Sequence, residues 1–294
     1  MLSVPGGLSV AIIAKNEAHS IARCLQSVAF ADQVVVLDSG STDDTVAIAR
    51  SLGAEVEVTP DWPGFGPQKN RALARCRHRW VLSIDADEQV SPALAEEIRA
   101  VLTQHDRPAV ASLPLRVAAP PPPLAADPEP DEEDGAVVGY WLRRSSRFCG
   151  QVIAHGLWGN DRVLRLFERT SGRFSNDPVH ERLICSGRTR VLDGMLMHDS
   201  VDSLEDAWTK TRDYAFLGAS MLRARGRGGL LRAASHAGWA FLRGYVLRTG
   251  FLDGRYGLTV ARLHAQGTFW KYRWAALDEA GWQALGASFR QRER

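Results

Sequence analysis

Apolar and polar positions alternate in blocks along the first 115 residues. Residues 8–14, Leu-Ser-Val-Ala-Ile-Ile-Ala, form an apolar run of the kind found in a strand covered on both faces. After the polar break Lys15-Asn16-Glu17, residues Ile21, Cys24, Leu25 and Val28 recur at i, i+3, i+4 and i+7, the apolar face of a helix. Gln33 to Leu37 predict a second strand that runs into Asp38-Ser-Gly-Ser-Thr-Asp-Asp44. Ser41 or Thr42 is expected to cap a helix through Ala49, which Gly53 stops. Residues 54–58, with alternating charge, predict an edge strand. Residues 62–66 read as a loop and Gln68 to Cys76 as a short helix. A fourth strand at 80–84 ends in three carboxylates, Asp85, Asp87 and Glu88. Ser91-Pro92 then opens a helix carrying Leu94, Ile98, Val101 and Leu102 on one side, with a strand near 109–115 beyond it.

Strands alternating with helices predict an α/β fold, an open and mostly parallel sheet flanked by helices. Ligands of such sheets bind beyond the carboxyl ends of the strands. The breaks at Lys15-Asn16-Glu17, Asp38-Ser39-Gly40 and Asp85-Ala86-Asp87 all fall at those ends, so three polar groups gather at one rim. On a strand, Asp85 and Asp87 would share a face. Oxygen-only carboxylate pairs suit Mg²⁺ or Mn²⁺ bridging to substrate phosphates. The plainer reading of the same acids is a solvated loop before a capped helix. No Gly-x-Gly-x-x-Gly follows the first strand and no Gly-x-x-x-x-Gly-Lys-Ser/Thr occurs, which disfavours dinucleotide and P-loop sites.

Composition changes this picture little. The 294 residues are 45% hydrophobic and 24% charged, ordinary globular values, with a net charge of +2. Four scattered cysteines without a Cys-x-x-Cys pair fit reduced thiols and a cytoplasmic protein. Neither a secretory signal nor a transmembrane run is expected. Residues 118–137, with Pro120–Pro123 and six acids between Asp127 and Asp134, have the composition of a solvated loop.

Residues 8–117 resemble the family 2 glycosyltransferases, whose catalytic domain has the GT-A fold. The matching features are Lys15-Asn16-Glu17 after the first strand, the Asp38-x-Gly-Ser-Thr-Asp turn, Lys69-Asn70 and Asp85-Ala86-Asp87. The similarity is nearest to bacterial lipopolysaccharide core β-1,4-glucosyltransferases. It extends through Trp62-x-Gly-Phe-Gly-x-Gln-Lys69, His155-Gly-x-Trp158, Leu164-Arg-Leu-Phe167, Val179-His-Glu181 and Gly250-Phe-Leu-Asp-Gly254.

The resemblance implies a metal-dependent, inverting hexosyltransferase using Mg²⁺ or Mn²⁺. Its expected reaction moves glucose from UDP-glucose to an inner-core heptose of lipopolysaccharide. A polyprenyl-phosphate or capsule acceptor is the alternative within enzymes, and a non-catalytic nucleotide-sugar or membrane-surface module the alternative outside them. The implied donor residues are Lys15, Asn16, Glu17, Asp38, Lys69 and Asp85, with Asp87 and a late histidine, His198, on the metal. Glu181 is the implied base and His180 its rival. Trp158 and Asp161 are implied near the acceptor or transferred sugar, although Gly159-Asn160 stands where an aromatic-proline pair is expected. Arg143, Arg144, His155 and Arg165 join them as candidates, since guanidinium groups bind anions bidentately.

The expected organisation is a nucleotide-sugar half at 1–117, the insertion at 118–137, an acceptor half at 138–200 and a basic helical tail at 201–294. Between Arg223 and Arg273 that tail has nine arginines and one lysine against the single acid Asp253, interleaved with aromatic and aliphatic residues. Such a pattern reads as an interfacial surface for an anionic leaflet, here the cytoplasmic face of the inner membrane, or for an anionic lipid-linked saccharide. Packing on the catalytic domain with a solvated arginine face is the plainer reading. Nucleic acid is disfavoured because no nucleic-acid fold accompanies the charge.

Overall fold

The computed structural model describes residues 7–106, 136–159, 161–177 and 181–290. The predicted strand near 109–115, nearly all of the 118–137 segment and His180 lie outside these residues. The fold is α/β, and the described chain divides into two compact units. One comprises residues up to Arg144 together with Arg162–His198, the other Ser145–Asp161 and Asp199 onward.

In the first unit β1 (Leu8–Ala14) lies between β2 (Gln33–Asp38) and β4 (Trp80–Asp85), with β3 (Glu55–Val58) outside β2, all parallel. Beyond β4 the sheet turns antiparallel at β8 (Asp161–Glu168). It continues through β6 (Val137–Phe148), β11 (Arg188–Val201) and β5 (Glu88–Val90). A short strand β7 (Gln151–Val152) pairs with the end of β6, and β9 (Gly172–Phe174) pairs with β10 (Leu183–Cys185) as a separate ribbon. Helices α1 (Ile21–Ser27), α2 (Thr45–Ser51), α3 (Phe65–Arg75) and α4 (Pro92–Asp106) connect the parallel strands or follow them.

The strands that read as unbroken apolar runs are the central ones. Ile12, Leu82, Ile84 and Trp80 are fully buried and meet Ile21, Leu94 and Ile98 from the helices in one core. β3 is the outer strand, as its charges suggest, and Glu55 and Glu57 pair with Arg77 and Arg75. Ser91 caps α4 as expected, its hydroxyl accepting from the Leu94 amide at 3.2 Å.

Two boundaries differ from expectation. α3 begins at Phe65, because Gly64 takes φ 106° and Pro67 is tolerated in a first turn. α2 begins only at Thr45, because the Ser41 and Thr42 side chains are drawn to Asn16 and Asp38 and do not cap the helix.

The second unit holds α5 (Leu204–Ala224), α6 (Leu230–Phe241), α7 (Gly254–Trp274) and α8 (Glu279–Arg290). α6 runs on as a π-helical stretch, Leu242–Leu247, followed by a 3₁₀ turn at Gly250–Asp253. No described helix is long and apolar enough to cross a membrane. Phe148, Ile153, Val201, Val260 and Leu263 form its core.

Asp253 accepts from the His155 amide at 2.9 Å and pairs with His155 Nδ1 at 2.9 Å, which joins two motifs far apart in sequence. A Cβ at Gly257 would lie 1.8 Å from the Gly250 carbonyl oxygen, so the start of α7 reaches the 3₁₀ turn only without a side chain there.

Trp158 packs on Phe148 and donates its indole N–H to His264 Nε2 at 2.8 Å. Burial pushes the His264 imidazole down to about 4, and protonating Nε2 would set two donors against each other. The folded value lies below the unfolded one of about 6.5, so the unfolded chain binds the extra proton first. Stability should therefore fall as pH drops from about 6.5 to about 4, by at most ~3 kcal/mol. Asparagine at position 264 still offers Trp158 an acceptor. His264→Asn should flatten this part of the urea-midpoint profile, and an unchanged slope would exclude His264 as its source.

Candidate active site

Register sets the geometry of the rim. Ala14 pairs with Asp38, and Ile13 pairs with both Leu37 and Asp85, so β1, β2 and β4 end level with one another. With adjacent strands about 5 Å apart, the Asp38 and Asp85 backbones lie roughly 10 Å apart across β1.

The loops after β1 and β2 are interlocked. Asn16 adopts φ 57°, a left-handed conformation that asparagine tolerates. Its amide donates to Ser41 Oγ and its Oδ1 accepts from the Thr42 amide, both at 2.8 Å. The Glu17 amide donates to Thr45 Oγ1 at 2.7 Å. Asp38 is fully buried. Its Oδ1 accepts from the Gly40 and Ser41 amides at 3.0 and 2.8 Å, and its Oδ2 from the Ser41 hydroxyl. Gln68 closes the rear of this turn, donating to Ser39 Oγ and Thr59 Oγ1. Lys15 remains exposed at the mouth.

Asp85 and Asp87 do not share a strand face as the spacing suggested. β4 ends at Asp85, and Ala86-Asp87 form a turn into β5, a strand too short for periodicity to show. The two carboxylates accordingly meet different partners. Asp85 Oδ1 pairs with Lys69 Nζ at 2.9 Å and Oδ2 with Arg165 Nη2 at 2.6 Å. The same Arg165 nitrogen reaches Glu88 Oε1 at 3.1 Å, and Arg144 approaches that oxygen at 3.3 Å. Glu88 is wholly buried, and its other oxygen accepts from the Asp85 amide at 2.9 Å. Burial opposes ionisation of Asp85, but Arg165 and then Lys69 outweigh it and hold the carboxyl well below the usual carboxylate range. Burial likewise disfavours the Arg165 cation, and Asp85 and Glu88 more than restore it.

Asp87 faces His198 instead, with Nε2 to Oδ2 at 3.2 Å. β11 brings His198 there because it pairs with β5, His198 opposite Glu88. Burial raises the Cys24 thiol well above its ordinary value, and Glu88, Asp87, Asp85 and Glu17 raise it further. Among the described residues no group of three or more His, Cys, Asp or Glu side chains is arranged for a metal. One carboxylate and one imidazole fit a hard ion that takes its remaining ligands from water and a diphosphate.

Glu181 stands on the other side of Lys69, its Oε1 at 2.9 Å from Nζ, so one buried ammonium bridges Asp85 and Glu181. A side-chain clamp and one close backbone approach set this spacing. Asn70 exchanges two hydrogen bonds of 2.9 Å with the Phe174 main chain. A Cβ at Gly66 would stand 1.8 Å from the Ser175 carbonyl oxygen, so only glycine lets α3 come this close. Glu181 lies in irregular chain before β10.

The structure thus gathers Asn16, Glu17, Asp38, Lys69, Asp85, Asp87, Arg165, Glu181 and His198 within the first unit. Trp158 and Asp161 belong to the second unit, where Trp158 is engaged as described above and Asp161 opens β8. Sequence reading missed the roles of Gln68, Ser41 and Thr45, whose short polar side chains hold loops and carry no periodic signal.

Comparison with known proteins agrees with this architecture. Residues 9–167, more than half of the chain, match the model of the family described as Glycosyl transferase family 2. The uncharacterized glycosyltransferase RP128 of Rickettsia prowazekii is 30% identical over 258 residues, covering 84% of this chain and 79% of that protein. The lipopolysaccharide core biosynthesis glycosyltransferase LpsC of Rhizobium meliloti is 28% identical over 218 residues, covering 72% of this chain and 70% of that one. Among solved structures, a glucosyl-3-phosphoglycerate synthase from Mycobacterium tuberculosis, in complex with Mn²⁺, UDP and glucosyl-3-phosphoglycerate, is 35% identical. That match covers 28% of this chain and 34% of the synthase, with a TM-score of 0.26, so the chain spans about a third of that protein's length.

Proposed function

This chain belongs to glycosyl transferase family 2, and on that premise we propose that it transfers a hexose, with inversion, from a UDP-sugar to an anionic lipid-linked saccharide. The interlocked rim carries this reading: the Asn16 and Asp38 loops are braced against each other, and the acids after β4 end level with them. Glucose is the proposed sugar and an inner-core heptose of lipopolysaccharide the proposed acceptor. The likeness to LpsC supports that acceptor, and the cytoplasmic face of the inner membrane is the proposed place of the reaction.

In this mechanism the Lys15–Glu17 and Asp38 loops hold the nucleoside and Asp85 the ribose side. Glu181 accepts the proton of the acceptor hydroxyl as that oxygen bonds to the anomeric carbon, and the bond from that carbon to the diphosphate breaks on the opposite face. Lys69 keeps Glu181 oriented until the proton arrives. Asp87 and His198 would hold Mg²⁺ or Mn²⁺, which when bound supplies positive charge for the departing diphosphate.

The test is a panel of UDP-hexoses with Mn²⁺. The matching donor should raise the melting temperature, and it should be consumed when lipid acceptor is added. No stabilisation by any UDP-sugar would exclude a nucleotide-sugar site. Products made only from a polyprenyl-phosphate acceptor would reassign the acceptor. Glu181→Gln should lower kcat by about 10²–10⁴-fold while sparing donor stabilisation, and normal turnover would move the base to His180.

A further inference from the structure

α6 is built inside out. The residues it turns inward toward α7 are small, Ala233 buried and Ala237 and Ala240 half-buried. Its large apolar residues face outward: Leu231 is 86% exposed and Trp239 53%. Leu242 and Val246, also exposed, extend the same row into the π-helical stretch. Positions 231, 235, 239, 242 and 246 follow helical spacing, so this is one continuous stripe with only Ser235 polar. Leu252, 60% exposed on the 3₁₀ turn, adds to the apolar surface of this unit. A core-facing helix shows the opposite arrangement.

The charge beside the stripe is one-sided. Exposed Arg232 and Arg243 lie on the same helical segment, and the lone acid of the region, Asp253, is taken up by His155. Between α6 and α7 a cleft of about 250 Å³ is lined by His236, Trp239, Arg243, Lys271 and Tyr272 among others. Neither Arg243 nor Lys271 meets a carboxylate among the described residues. Burial lowers the Lys271 ammonium, as expected of a cation set into a wall without its counter-ion. His236 lies flat on Tyr272 at 4.3 Å and closes one side.

We propose that this face docks on an anionic lipid surface, the α6 stripe entering the headgroup–acyl boundary and the Arg243–Lys271 cleft receiving a lipid phosphate. Bilayers supply both demands at once, apolar depth for leucine and tryptophan and phosphate for the cations. The proposal deepens the lipid-linked acceptor reading, but its test needs no transfer, so either can fail alone.

The full chain should co-sediment with phosphatidylcholine vesicles containing phosphatidylglycerol, far less with phosphatidylcholine alone, and added salt should release it. The double change Leu231→Ser and Trp239→Ser should lower partitioning at least about tenfold without altering circular dichroism, since both side chains are exposed. Arg243→Ala and Lys271→Ala should each weaken anionic binding about fivefold while leaving weak binding to neutral vesicles unchanged. Failure to bind anionic vesicles would overturn the proposal, as would variants that bind like the parent. Two further outcomes would also overturn it. Thermal stabilisation by glycerol 3-phosphate without vesicle binding would make the cleft a soluble-anion site. A dimer lost in the double variant, again without vesicle binding, would make the stripe a contact between copies.

Discussion

Arg165→Met should destabilise the first unit by about 3–5 kcal/mol, a loss read as a lower urea midpoint with little change in slope. The side chain is nearly buried, and its terminal nitrogen serves Asp85 and the wholly buried Glu88 together. Methionine fills much of the volume but leaves those carboxylates with Lys69 and Arg144 alone. The large effect comes from the charges stranded, not from any net strength of the pair, because removing one partner of a buried ion pair leaves the other uncompensated. An exposed pair such as Arg99–Glu96 supplies the control, and Arg99→Met should change the midpoint by less than about 1 kcal/mol. Equal effects at the two positions would show that the Asp85–Arg165–Glu88 group is not acting as a buried network.

Asp87→Ala should lower hexosyl transfer by about 10³-fold or more, equivalent to ~4 kcal/mol of lost transition-state stabilisation. Asp87 sits in a two-residue turn and touches His198, so its removal strands no buried cation comparable to Arg165. The melting temperature of the free protein should therefore barely move, while the added stabilisation by Mn²⁺ with a UDP-sugar should vanish. Undiminished transfer would take Asp87 out of the metal role. A collapsed melting temperature would show that the Asp87–His198 pair serves the fold instead.

How far the sequence could be read follows from the range of each interaction. β1, β2 and β4 were legible because a strand buried on both faces must be apolar throughout, and α1 because its core face repeats every turn. The gathering of three polar breaks at one rim followed from parallel connectivity alone. The split between Asp85 and Asp87 was hidden, because it depends on a three-residue strand whose partner, β11, lies about a hundred residues further on. The commitment of Arg165 to Asp85 and Glu88 was equally invisible: an arginine on an apolar strand looks the same whether it awaits a substrate anion or answers two acids. In the second unit, charge and hydrophobicity were countable, but which side of α6 faced inward was settled by alanine packing that composition does not express.

Main chain meets main chain where α3 passes residue 175, because Gly66 presents only hydrogen there, and the Asn70 side chain clamps the same helix to Phe174. The distance from Lys69 to Glu181 therefore depends on that close backbone approach and on the Asn70 clamp. Exposed residues such as Lys15 could change without disturbing that spacing, while position 66 has no such latitude. In the proposed mechanism, donor preference and proton acceptance would then rest on different parts of the chain, the second anchored by a missing methyl group.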